Sequence, residues 1–100
     1  MKIIAVNISK TRHNNSLIQA TERAWVLNIN RARKYSFLIG VSNNTVHSYF
    51  KISNINIDNS QSNRVKFNLI PCSNNDQINI DNHIKNKGIS LNKFTTKYID

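Results

Sequence analysis

Apolar positions in this chain come in short runs whose spacing changes from one segment to the next. Ile3 to Ser9 is rich in β-branched residues and reads as a first strand, with Ile4, Val6 and Ile8 on one face. Thr11 to Asn15 is polar and follows Lys10 with Arg12 and His13, so it reads as a loop. From Ser16 the period lengthens. Leu17, Ile18, Ala20 and Ala24 recur at helical spacing, which predicts a short helix capped by Ser16 and running through Arg23.

After the apolar stretch Trp25-Val26-Leu27, Asn28 or Asn30 is placed to cap a turn of helix over Ile29 to Lys34. Tyr35 to Val41 and Thr45 to Ile52 are β-rich runs around Ser42-Asn43-Asn44. Asparagine tolerates the left-handed conformation that tight hairpin turns require, so these runs predict a hairpin. In its second strand Val46, Ser48 and Phe50 are expected to oppose His47, Tyr49 and Lys51, one set facing the core and the other water.

Ser53 to Asn63 is polar apart from Ile55 and Ile57 and reads as an exposed loop or a weak edge strand. Arg64 to Ile70 alternates again, with Val65, Phe67 and Leu69 on one side, and Pro71 ends that strand. Beyond a polar segment, Cys72 to Gln77, Asp81 is expected to cap a short helix over Asn82 to Lys87, with Gly88 reversing the chain. Ile89 to Phe94 reads as a last extended segment leading to Tyr98-Ile99. Mobility is expected near 53 to 63 and 72 to 78. The order of elements predicts one α+β domain over residues 1–100, with a mostly antiparallel β-sheet and two short α-helices.

Composition narrows the chemistry. One hundred residues bury only about two-thirds of the surface exposed by the unfolded chain, so the core is thin, and any sizeable ligand is expected at the surface or between copies of the chain. Fourteen Lys and Arg against five Asp and Glu give a formal charge of +9, a field that draws in phosphates and polyanions. Cys72 is alone, so no disulfide within the chain and no Cys-rich metal site is available. The apolar run after Lys2 stops at Asn7, too short for a signal-peptide core or a span, and a cytoplasmic location is expected.

Catalytic machinery is scarce. His13, His47 and His83 lack metal-ligand spacing, no Gly-rich phosphate loop is present, and Glu22 is the only glutamate. The expectation is a protein that is not an enzyme and uses no cofactor. Binding chemistry is better supplied, since three clusters combine cations, hydroxyls and aromatic faces, the groups that recognise phosphate, base and ribose. They are Thr21-Glu22-Arg23-Ala24-Trp25, then Arg31-Ala32-Arg33-Lys34-Tyr35, and last Lys87-Gly88-Ile89-Ser90 with Lys93-Phe94-Thr95-Thr96-Lys97-Tyr98. Trp25 reads foremost as a core or interface anchor. Arg31, Arg33 and Lys34 read as the solvated face of a helical turn.

Taken in order, several segments resemble a known family. Ile4-Ala5-Val6-Asn7-Ile8-Ser9, Ala20-Thr21-Glu22-Arg23-Ala24-Trp25, Arg31-Ala32 before Tyr35-Ser36-Phe37-Leu38-Ile39-Gly40-Val41, Arg64-Val65-Lys66-Phe67, and Lys87-Gly88-Ile89-Ser90 with Phe94 and Tyr98 are similar to the landmarks of the first group of Thoeris anti-defence sponges. These are small phage proteins that sequester cyclic ADP-ribose signals. The resemblance spans nearly the whole chain through short, degenerate motifs. It departs where Glu22 separates the Ala-Thr pair from Arg23, and where the closing segment Phe94 to Tyr98 is compressed.

The resemblance implies a homo-oligomeric protein in the host cytoplasm that holds a cyclic ADP-ribose isomer or a cyclic oligonucleotide intact. Arg23 would grip pyrophosphate, Phe67 or Phe94 would stack on a base, and Ser90 with Thr96 would meet phosphate or ribose hydroxyls. Two other functions fit the residues: a nucleic-acid module using the stripe Arg31, Arg33 and Lys34, and an inhibitor of an acidic protein partner.

Overall fold

A computed structural model of the chain describes residues 1–9, 21, 27–57 and 64–100. Five strands form one sheet in the order β4-β3-β2-β1-β5. They are β1 (Ile3–Asn7), β2 (Phe37–Ser42), β3 (Thr45–Ile57), β4 (Val65–Pro71) and β5 (Thr96–Ile99), joined by helices α1 (Ile29–Ala32) and α2 (Asn74–Asn86). Among the described residues the only parallel pair is β1 with β2, and the other three are antiparallel, so the α+β reading holds.

Ile3, Ile4, Ala5 and Val6 are all buried, which explains why β1 is an unbroken apolar run: it lies inside the sheet and both its faces are covered. Each buried Ile or Val is worth about 1.5–3 kcal/mol in transfer free energy. On the first face Ile4, Val6 and Ile8 meet Ala32, Tyr35, Leu38, Ile55, Val65 and Phe67. On the second, Ile3 and Ala5 meet Ile39, Val41, Cys72, Ile99 and the α2 residues Ile80 and Ile84.

The hairpin forms as expected, with Asn43 and Asn44 at φ 51° and 62°, the left-handed pair of a tight turn. The facing of Val46 does not follow simple alternation. Val41 pairs with Val46 while Gly40 pairs with Ser48, so a bulge at His47 moves Val46 to the second face while Ser48 and Phe50 stay on the first. Beyond Ile52 the chain continues as strand to Ile57, paired with β4. Ser53 to Ile57 is therefore neither a loop nor an edge, because β4 lies outside it, and residues 58–63 of the expected loop lie outside the described residues.

The second helix begins eight residues earlier than the pattern predicts. Ser73 caps it, its hydroxyl accepting from the Asp76 amide at 3.1 Å, and the polar residues of the first turn hide the helical period that Ile80 and Ile84 carry. Asp81 is consequently inside the helix, where its carboxylate accepts from the Tyr49 hydroxyl at 2.6 Å. The end of α2 matches expectation: Gly88 has φ 61°, and the Gly88 and Ile89 amides donate to the Lys85 and Ile84 carbonyls. Ile89 to Phe94 forms no strand. Ile89, Leu91 and Phe94 instead pack on the second core cluster, and the strand starts at Thr96. The expected helix from Ser16 to Arg23 lies outside the described residues except for Thr21, which is buried.

Among the described residues no helix is long and apolar enough to cross a membrane.

Candidate anion-binding site

Three chain segments meet at one end of the sheet because of how β1 is paired. Ile3 lies opposite Phe37 on one side and Ile99 on the other, so Lys2, Ser36 and Asp100 are carried to the same end. The Lys2 carbonyl accepts from both the Ser36 and Phe37 amides, at 3.1 and 3.2 Å, fixing where β2 begins. Just before it, α1 is set by Asn28, whose side-chain oxygen accepts from the Asn30 and Arg31 amides at 3.0 and 3.1 Å. Ala32 points into the core, so Arg31 beside it is turned outward.

The result is an open hollow of about 500 Å³ lined by Lys2, Asn28, Asn30, Arg31, Lys34, Tyr35 and Asp100. That volume lies within the roughly 300–1,000 Å³ common for small-molecule sites, although this one is exposed to solvent rather than enclosed. The Arg31 guanidinium carbon sits 3.9 Å from the centre of the Tyr98 ring, and the Tyr98 and Tyr35 rings are 4.9 Å apart and tilted by 50°. Such stacking holds the guanidinium flat while leaving its edge donors free to meet an anion. Lys2 lies 5.2 Å from the Tyr35 ring centre.

Three cations therefore face the Asp100 side-chain carboxylate. Asp100 accepts from the Tyr35 hydroxyl at 2.6 Å and from the Lys2 ammonium at 3.4 Å. The Tyr35 hydrogen bond, then Lys2 and Arg31, hold its carboxyl below the usual aspartate range. Tyr98 is pushed up by burial against the opposing pull of Arg31, so its phenol stays neutral.

None of the described residues expected to bind ligand lines this hollow. Phe67 is fully buried in the first core cluster on β4, at the far edge of the sheet, which leaves its ring no free face for stacking. Thr96 is half-buried opposite Val6 on β5. Phe94 packs on the second face, and Ser90 is exposed, its carbonyl accepting from the Lys97 ammonium at 3.1 Å. Arg23 lies outside the described residues. Of the three sequence clusters it is the second, taken there for a solvated charge run, that contributes Arg31, Lys34 and Tyr35 to the hollow, while Tyr98 from the third backs Arg31. Lys2 and Asp100 carried no local signal. They are far apart in sequence and meet only through β1–β5 pairing.

Elsewhere the chemistry is quieter. Burial pushes the Cys72 thiol up, reinforced by Asp76, which leaves it a poor nucleophile. Tyr49 is raised by burial and by its bond to Asp81. Among the described residues no three His, Cys, Asp or Glu side chains gather as a metal site would need. No protein-family description matches the chain, and no curated protein or solved structure matches it. Fold and site alone define it, as a small α+β domain with a cationic, tyrosine-floored hollow at the end of its sheet.

Proposed function

We propose that the chain binds a phosphate-bearing small molecule of nucleotide type in this hollow and leaves it chemically intact. The observation that carries the reading is Arg31 held over Tyr98 beside Lys2, Lys34 and the Asp100 side-chain carboxylate. An aromatic-backed guanidinium with two ammonium groups offers planar, bidentate recognition of phosphate oxygens plus diffuse positive charge. The Asn30 side-chain amide and the Asn28 side-chain nitrogen, whose own oxygen is taken up by the α1 cap, add neutral hydrogen-bonding groups for a ribose or base. Sequestration of a cyclic ADP-ribose signal by a phage sponge, the role implied by the resemblance, is the particular form of this function that we favour.

The test is a thermal-shift and calorimetric panel of cyclic ADP-ribose isomers, cyclic dinucleotides, linear ADP-ribose and short DNA and RNA. A ligand present at 100 times its Kd adds about 2.7 kcal/mol to stability, which a melting curve resolves. Recovery of the unaltered ligand from the complex supports sequestration, while turnover ends it. Response to nucleic acid alone, falling log-linearly with salt, would replace the small molecule with a polymer.

A further inference from the structure

The hollow already holds an anion of its own. Asp100 Oδ1 lies where the Tyr35 hydroxyl and the Lys2 ammonium converge, on the same hollow that Arg31 and Lys34 line. Its side chain is largely exposed, at 61 %, and is held by these two polar contacts, while its main-chain carbonyl meets the His83 ring at 3.0 Å. An incoming anion and this carboxylate compete for the same donors.

Resting on the reading above, the geometry points to Asp100 as an internal competitor that the ligand must displace, which restricts the site to anions bearing two or more negative charges. The exchange argument is simple. A ligand carboxylate or another monoanion replaces one negative charge with an equal one, so its net gain is small. A diphosphate brings at least one further charge and several further acceptor oxygens. Those engage Arg31 and Lys34, which Asp100 Oδ1 does not touch by hydrogen bond, while also taking over Lys2 and Tyr35. Asp100 thus sets a threshold that inorganic monoanions fall below and pyrophosphate-containing nucleotides exceed. It acts as a specificity residue without being a fixed part of the bound site.

Inorganic pyrophosphate is the probe, titrated calorimetrically into wild type, Asp100→Asn and Arg31→Ala. Asparagine keeps an acceptor for Tyr35 but removes the charge, and Asp100→Asn is expected to tighten pyrophosphate binding by about tenfold, the scale of one like charge removed a few ångströms from the ligand. Arg31→Ala is expected to weaken it by at least about tenfold. A second readout follows the Asp100 carboxyl carbon by NMR: saturation with pyrophosphate should return its titration midpoint to that of an unpaired aspartate or higher. Wild-type binding that Asp100→Asn matches or weakens, or that leaves the Asp100 titration unmoved, overturns the competitor while sparing the hollow. Absence of pyrophosphate binding by both wild type and Asp100→Asn overturns the hollow as an anion site and the competitor with it.

Discussion

Two polar regions lie on the same face of the sheet at opposite ends of β2, and they are built on opposite terms. At one end the Ser48 hydroxyl accepts from the Gly40 amide at 3.1 Å and bonds the Thr21 hydroxyl at 2.9 Å, all of it buried. At the other, Lys2, Arg31, Lys34 and Asp100 are exposed around the tilted ring pair Tyr35 and Tyr98. Small neutral hydroxyls satisfy one another in the interior at little desolvation cost, whereas charges are affordable only in water. The buried spot therefore serves packing. Only the wet one keeps donors available to a ligand.

The largest effect is expected at the closed end. A Cβ on Gly40 would collide with the Ser48 hydroxyl, approach the Thr21 hydroxyl to 2.8 Å and Ile8 to 3.1 Å. Gly40→Ala should cost about 2–3 kcal/mol through overpacking, read from the denaturation midpoint. A cost near zero would mean this region is looser than described. Ser48→Ala removes the acceptor of the Gly40 amide and should cost about 1–3 kcal/mol in the same assay, the scale of a buried polar group left without that bond.

The open end should respond the other way. Arg31→Ala is expected to change stability by no more than about 1 kcal/mol, the scale of an exposed cation–π contact, while losing at least about tenfold in pyrophosphate affinity. Equal losses in both would make Arg31 a structural residue and erase the contrast.

Smallest of all is the acid response of the Tyr35–Asp100–Lys2 link. The carboxyl of Asp100 titrates lower in the folded chain than in the unfolded one, so its contribution to stability is present above the ordinary aspartate range and is lost as pH falls through the lowered folded value. Tyr35→Phe removes the first of its causes and should raise the NMR titration midpoint of Asp100 toward the ordinary value. A midpoint indifferent to that substitution would show that the 2.6 Å hydrogen bond does not persist in solution.

Local signals that needed no partner were legible in the chain. Asn43 and Asn44 specify their turn because backbone sterics at positive φ admit few residue types, and Gly88 ends α2 for the same reason. Asn28 announces the cap of α1 by its own side chain. Ser73 was a weaker signal, since the first turn it caps carries no apolar period and the helix gains its core contact only at Ile80 and Ile84. The bulge at His47 left no local mark, and it decided which way Val46 faces.

By itself, then, the amino-acid order determined the class of fold, the hairpin, the strand cores and a strong positive charge, all properties set by neighbours along the chain or by simple counting. Which cations share a site was decided by tertiary pairing. Flanking β1 with β2 and β5 brings residues 2, 31, 35, 98 and 100 within contact distance, and the same sheet buries Phe67 three strands away from β1. Electrostatic recognition depends on distances of a few ångströms, and a linear sequence specifies those only after its strands have chosen their partners.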